Sequence, residues 1–320
     1  LASGRVRRTL IGLTSIIKNK KTDLREMIFS LPYYRESDQL PGPLPEQHEI
    51  DHAVRSLPTI RNPDYGGRLV VIRDLYIVKY GPYVAENEGY ALLFIEQKLS
   101  IPAPRLYAMY RNEDKLYIVM QYIPGITLGH IWPSLPENTK TVLLGELRSI
   151  FADMRSLPSP GFYGSVTQGP VPHRYFFSRE GNPAITGPFT KEEDFSKAIA
   201  LRSRQIWSDR GRHGWTSDFL ARHLPSALSG HQPTFTHGDL YRENILVKKV
   251  KNSTSGVEEY RIAAIIDWET AGWYPSYWEY GYIFPLFQWD DDWPESVESI
   301  LDPWPLEAAL LRFVQEDLEF

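Results

Sequence analysis

Three side chains in the second half of the chain are spaced for chemistry. In the segment HGDLYREN, Asp239 stands five residues before Asn244, and Asp267 closes the next apolar run, IAAIID. Phosphoryl transfer needs little covalent participation from a protein. It needs an oriented hydroxyl, metal on the phosphates and charge compensation. Asp239 could accept or orient an acceptor proton, and Asn244 could offer a neutral oxygen to Mg²⁺. Asp267 supplies the hard anionic oxygen that Mg²⁺ prefers. Each has a plainer reading: Asp239 and Asn244 as Asx turns, Asp267 as a cap on a strand end. His237 reads as a ring bonded to loop carbonyls rather than as a proton carrier.

The elements around these residues must bring them together. ILVKKV (245–250) and YRIAAIID (260–267) predict a hairpin joined by the polar KNSTSGVEE, which returns Asp267 to Asn244. Upstream, RLVVIRD (68–74) and LYIVKYG (75–81) predict two strands with a tight joint at Arg73-Asp74. A helix is expected over 84–99, with Tyr90, Leu93, Phe94 and Gln97 close to one face. Two more strands follow, joined by a polar turn at Asn112–Asp114 and broken at Ile123-Pro124-Gly125. Helical patterns then dominate, at 138–157, 192–210 and 213–229, around a Gly-, Pro- and aromatic-rich loop at 158–190. Near the start, 32–46 reads as a proline-rich linker. Ile50, Val54 and Leu57 at i, i+4, i+7 predict a short helix over 47–57. A small mixed lobe followed by a larger helical one is the expected outline.

HGDLYREN followed by IIDWETAGWYPSYWEY resembles the catalytic and metal loops of the aminoglycoside phosphotransferase and choline kinase group, in its fungal aminoglycoside phosphotransferase-like form. The resemblance runs over roughly 57–285 and implies an α+β, two-lobed protein-kinase-like fold. It implies an extension at 1–56, a nucleotide-binding N-lobe at 57–122 and a catalytic, acceptor-binding C-lobe at 123–320. Lys79 in LYIVKYG sits where that group places its phosphate-contacting lysine, and Glu88 in ENEGYALLF where the next helix provides the partner carboxylate. Met120, Gln121, Tyr122 and Ile123 match the hinge along the adenine edge. The implied activity is an ATP- and Mg²⁺-dependent phosphotransferase acting on a hydroxyl of a small molecule. Asp239 would be its catalytic residue, and Asn244 and Asp267 its metal ligands. Residue reading alone leaves Lys79 as an edge-strand charge and Glu88 as a solvated carboxylate, with Glu86 close by.

The pattern also departs from protein kinases. Gly238 replaces the arginine of the HRD loop, Asp267 is followed by Trp268-Glu269 rather than Phe-Gly, and no Ala-Pro-Glu motif closes the segment. These differences favour a small-molecule acceptor over a protein. The glycine-rich phosphate loop is reduced to Gly66-Gly67, which keeps a pseudokinase-like nucleotide-binding module as the alternative. His48-Glu49-Ile50-Asp51-His52 fits the zincin pattern but lies ahead of the kinase-like body, with no third ligand at metzincin spacing.

The composition bounds the partners. A net charge of −5 and short apolar runs point to no nucleic-acid and no membrane partner, and the absence of cysteine fits a reducing cytoplasm. That charge is polar along the chain. Six bases and no acid occupy the first 22 residues, and ten acids against one base follow from Leu286. The basic start reads as a solvated or helix-forming arm rather than a transit peptide. Asp290-Asp291-Asp292, flanked by Trp289 and Trp293, would suit a cationic, aminoglycoside- or choline-like acceptor, or simply a solvated acidic loop. Trp268, Trp273 and Trp278 could line an acceptor pocket or fill the core.

Overall fold

Alternation of side chains across a pleated sheet decides where the first half of the chain points its groups. The computed structural model describes residues 30–58, 67–251, 256–286 and 292–319. In it, β1 (Tyr33–Tyr34), β2 (Arg55–Leu57), β3 (Arg68–Ile72), β4 (Tyr76–Gly81), β5 (Leu106–Asn112) and β6 (Lys115–Gln121) form one antiparallel sheet in the order β1-β5-β6-β4-β3-β2. The β3–β4 joint is the expected one, with Arg73 and Asp74 both at positive φ (55° and 52°). They are the central residues of a turn closed by Leu75 N–H donating to the Ile72 carbonyl at 3.1 Å, within a three-residue connection from Ile72 to Tyr76.

Period-two alternation then sorts β4 and β6. Tyr76, Val78, Tyr117 and Val119 pack in the outer core with Ile50, while Leu116, Ile118 and Met120 enter the core shared with the second half. Lys79, paired across from Ile118, shares that inner face. On the outer face a stack of tyrosines (Tyr34, Tyr110, Tyr117, Tyr80) crosses the sheet at ring separations of 5.9, 5.2 and 5.1 Å.

The helix Glu86–Lys98 lies against the inner face and buries Glu88, Ala91, Leu92 and Ile95, the i, i+3, i+4, i+7 stripe. Its approach to β5 requires Gly89, where an added Cβ would stand 2.5 Å from the Met109 sulfur. The second half is mainly helical, built on Glu137–Arg155, Glu192–Asp209, Trp215–Ala227, Trp278–Leu286 and Pro305–Glu319. Small sheets set its loops. β7 (Ile126–Thr127), β10 (Ile245–Lys251) and β11 (Glu258–Ile265) form one, and β8 (Gly164–Ser165), β9 (Pro233–Thr236) and β12 (Gly272–Pro275) the other. The result is the expected α+β architecture, a β-rich lobe against a helical one. No helix among the described residues is long and apolar enough to cross a membrane.

The segment before residue 58 departs from its pattern. Of the helix expected over 47–57, Gln47–Asp51 is helical, and Arg55–Leu57 pairs as a strand with β3 instead of extending it. Val54, assigned to the apolar stripe, is fully exposed. Three apolar residues at helical spacing are outweighed by a vacant sheet edge. The HExxH side chains are spent locally: Glu49 caps the helix start and pairs with Arg73, and His52 Nδ1 lies 2.8 Å from the His48 carbonyl. The expected lobe boundary at 56/57 therefore falls inside an edge strand, and the basic arm at 1–29 lies outside the described residues.

Arg35 fixes this segment to the lobe. Its Nε donates to the Leu106 carbonyl at 2.7 Å, and its Nη atoms reach both Glu96 oxygens at 3.0 and 2.5 Å, at 7% side-chain exposure. Loss of these charged hydrogen bonds in Arg35→Ala should lower unfolding free energy by about 2–3 kcal/mol, read from the urea midpoint.

Candidate active site

A buried ammonium is the centre of the site. Lys79, 7% exposed, is presented by β4 to the inner face of the sheet. Its Nζ lies 2.7 Å from Glu88 Oε2, 2.8 Å from Asp267 Oδ1 and 3.0 Å from Glu269 Oε2. Burial works to strip the proton from Lys79, and the three carboxylates overcome it, holding the ammonium charged well above its ordinary range. Burial pushes Glu88 the other way, up to about 7, against the pull of Lys79. Glu86, the alternative partner, is turned outward to Arg111 at 2.7 Å.

Each of these groups arrives on a different element. Glu88 comes from the first turn of the helix Glu86–Lys98, whereas Asp267 and Glu269 flank Trp268 just beyond β11. The β10–β11 register sets their position: Ile245 opposes Ile265, and Ile266 N–H donates to the Asn244 carbonyl at 2.9 Å. Asp267 thus follows immediately beside Asn244. It adopts a left-handed conformation (φ 62°, ψ 61°), which costs a non-glycine residue about 1–2 kcal/mol. Strain of this kind persists where surrounding contacts over-determine it. The oxygens of Glu88, Asp267 and Glu269 lie within 4.8 Å of one another, a cluster that could hold a metal ion.

The loop of residues 237–244 is organised by backbone contacts. Asn244 Nδ2 donates to Asp239 Oδ2 at 2.9 Å and to its carbonyl at 3.0 Å, which fixes the carboxylate's orientation. His237 is fully buried. Its Nδ1 accepts from Asp239 N–H at 3.2 Å, so Nε2 carries the proton donated to the Ile266 carbonyl at 3.0 Å. The ring joins the two loops, the structural role its sequence suggested. Gly238 sits at φ 82°, and a Cβ there would press on Thr270 at 3.1 Å. An arginine at this position would therefore be strained by conformation and crowded against Thr270.

The hinge strand carries Met120 on its inner face, buried beside Ile77 across β4. Gln121 N–H donates to Arg105 O and Tyr122 N–H to Leu75 O, at 2.9 and 3.0 Å, before the chain leaves the sheet at Ile123. Gly67 is described (φ 84°), while its predicted companion Gly66 lies outside the described residues. Trp268, Trp273 and Trp278 are core, at 0, 2 and 0% exposure. Trp289, Asp290 and Asp291 lie outside the described residues; Asp292 bonds Trp132 Nε1 and Lys140 Nζ, both at 2.7 Å.

Two supporting residues carry no motif of their own. Asn87 Nδ2 donates to the carbonyls of Glu269 and Ala271, each at 2.9 Å, and so locks the Glu88 helix onto the Asp267 loop. Glu279, buried at 2% exposure, accepts the His237 and Gly238 N–H groups at 2.6 and 3.1 Å. Burial raises its pKa, opposed by His237, Arg155 and those two N–H groups. The only local hint was a carboxylate in an otherwise aromatic run, SYWEYGY.

Residues 76–304 match the sequence profile of the family described as APH, phosphotransferase enzyme family. No curated protein sequence matches the chain significantly. Among solved structures, the gentamicin–APH(2″)-IIa complex is similar over 86% of this chain and 86% of its own, at 13% identity and a TM-score of 0.51. The ADP-bound aminoglycoside phosphotransferase APH(2″)-Ib aligns over 83% of this chain and 79% of its own, at 14% identity and a TM-score of 0.47. The first of these likenesses shows a shared fold.

Removing the Glu279 carboxylate leaves two buried N–H groups unpaired. Glu279→Ala should cost about 2–4 kcal/mol in chemical denaturation. Glu279→Gln should cost less than half of that, since its amide oxygen still accepts one of the two.

Proposed function

The chain belongs to the phosphotransferase enzyme family, and on that premise we propose that it transfers the terminal phosphoryl group of ATP to a hydroxyl of a small molecule. The observation that carries this reading is the Lys79 cluster, one ammonium within 3.0 Å of three carboxylates. With all three ionised, that cluster sets three negative charges against one positive, a set that would suit a divalent cation. Its donors are hard oxygens, the set that suits Mg²⁺. Asn244 and Asp267 are the proposed metal ligands, and Glu269 adds a third oxygen donor to the set. Held there, Mg²⁺ would supply neutralisation of the negative charge on the phosphates of ATP.

The chain's own groups then have distinct tasks. Lys79 directs its ammonium at the nucleotide phosphates, and Glu88 keeps it aimed there. The backbone from Met120 through Gln121 and Tyr122 to Ile123 borders the adenine. Asp239, oriented by Asn244, takes the proton of the acceptor hydroxyl as that oxygen bonds phosphorus. His237 and Glu279 set the loop on which Asp239 stands and touch no reacting atom.

Asp239→Ala should lower turnover by about 10²–10⁴-fold, the usual contribution of a positioned base, with nucleotide affinity retained. Asp267→Ala should instead weaken metal-nucleotide binding. Coupled nucleotide-consumption kinetics and calorimetry separate the two. Undiminished activity in Asp239→Ala would sink the proposed role of Asp239, and nucleotide binding without any turnover in the unaltered chain would leave the nucleotide-binding module.

A further inference from the structure

Asp267 stands in a left-handed conformation (φ 62°, ψ 61°), which a non-glycine residue keeps where its flanks are fixed. Its upstream flank is fixed twice. Ile265 N–H donates to the Pro102 carbonyl at 2.8 Å, and Ile266 N–H to the Asn244 carbonyl at 2.9 Å. Downstream the chain is held from two sides. Thr270 Oγ1 donates to the His237 carbonyl at 2.9 Å, which ties this loop to that of Asp239. Asn87 Nδ2 takes the carbonyls on either side of Thr270, those of Glu269 and Ala271, each at 2.9 Å.

The Asn87 amide can make this contact in one orientation only. Two carbonyl oxygens need two N–H groups, and turned over, Oδ1 would set acceptor against acceptor. Asn87 precedes Glu88 in the first turn of the helix Glu86–Lys98, so the loop is placed relative to Glu88 and, through it, to Lys79. The charged ties to the same loop, Lys79 to Asp267 at 2.8 Å and to Glu269 at 3.0 Å, are of another kind. A nucleotide phosphate competes for the ammonium, and a divalent cation competes for the carboxylates. Neither draws on a neutral amide bonded to main-chain carbonyls.

We propose that Asn87 is a positioning residue for the metal-nucleotide site. It holds the chain beyond Asp267 in register with Glu88, and so keeps the Asp267 carboxylate where it would hold a cation when Lys79 is drawn to phosphate. This rests on the phosphotransferase reading above. Asn87 touches no reacting atom, and it acts through the main chain of Glu269 and Ala271. Groups that orient a metal ligand in this way typically set metal affinity by about 10–100-fold.

The test is calorimetric titration of ATP into the full chain at a series of free Mg²⁺ concentrations, for the unaltered protein, Asn87→Leu, Asn87→Ala and Ala91→Gly. Leucine has nearly the shape of asparagine without its donors. Ala91→Gly loosens the same helix one turn on, at a buried position, and leaves the loop contacts in place. Both Asn87 variants should need at least about tenfold more Mg²⁺ to reach half of the metal-dependent gain in ATP affinity. Their ATP affinity in chelator should change by less than about twofold, since the Lys79–Glu88 pair is untouched. Ala91→Gly should leave both quantities within about twofold, whatever it costs in urea midpoint. An unshifted Mg²⁺ requirement in Asn87→Leu overturns the proposal, because filled space would then suffice. So does an equal shift in Ala91→Gly, which would make the effect one of helix stability. Mg²⁺-dependent binding in the unaltered chain with unshifted Asn87 variants fails the proposal alone. ATP binding indifferent to Mg²⁺ in the unaltered chain fails the underlying reading as well.

Discussion

An ammonium cannot be buried without anionic company, and that constraint organises this protein. Lys79 lies on the inner face of the small lobe's sheet, where water cannot solvate it. Its partners come from three places: a helix of the same lobe and two positions of a loop in the helical lobe. Removing the ammonium would leave three carboxylates crowded together at low dielectric, which typically costs several kcal/mol. The two halves are therefore joined by the same atoms that would handle phosphate. Asn87 adds a neutral clasp beside the charged one, bonding two carbonyls of the Asp267 loop from the helix that carries Glu88. Position and chemistry share one set of contacts.

The second organising feature is a loop held through its main chain. Glu279 gathers two successive N–H groups, His237 joins the loop to the end of β11, and Asn244 steers the Asp239 carboxylate. A glycine at 238 makes the turn possible. The Glu279 and His237 contacts consume no side chain to which the proposed reaction gives a role. The backbone of the Asp239 loop is thus held by groups that stand apart from the proposed proton transfer.

Much of this was legible in the residues. Alternation and turn chemistry located β3 to β6 within a residue or two, and the hairpin argument correctly brought Asp267 beside Asn244. Local patterns report local geometry, and these elements are local. Glu279, Asn87 and Arg35 were not legible, because their partners are backbone groups or charges 41 to 184 positions away. A carbonyl has no sequence signature. The helix expected over 47–57 failed for the same reason: the pull on Arg55–Leu57 came from β3, whose unpaired edge no window around residue 50 contains. The acidic run near 290 illustrates the converse. Its one described member is bound to a lysine and an indole, a fate that charge counting cannot reveal.

The central claim is that the Lys79 cluster is a metal-nucleotide site assembled across both lobes. Calorimetric titration of ATP into the protein, with free Mg²⁺ varied from chelated to millimolar, tests it most directly. The account predicts that affinity tightens by at least about tenfold as Mg²⁺ is supplied, because the carboxylates repel bare phosphates and need the cation. Equal ATP affinity with and without Mg²⁺, or no binding at either extreme, would contradict it.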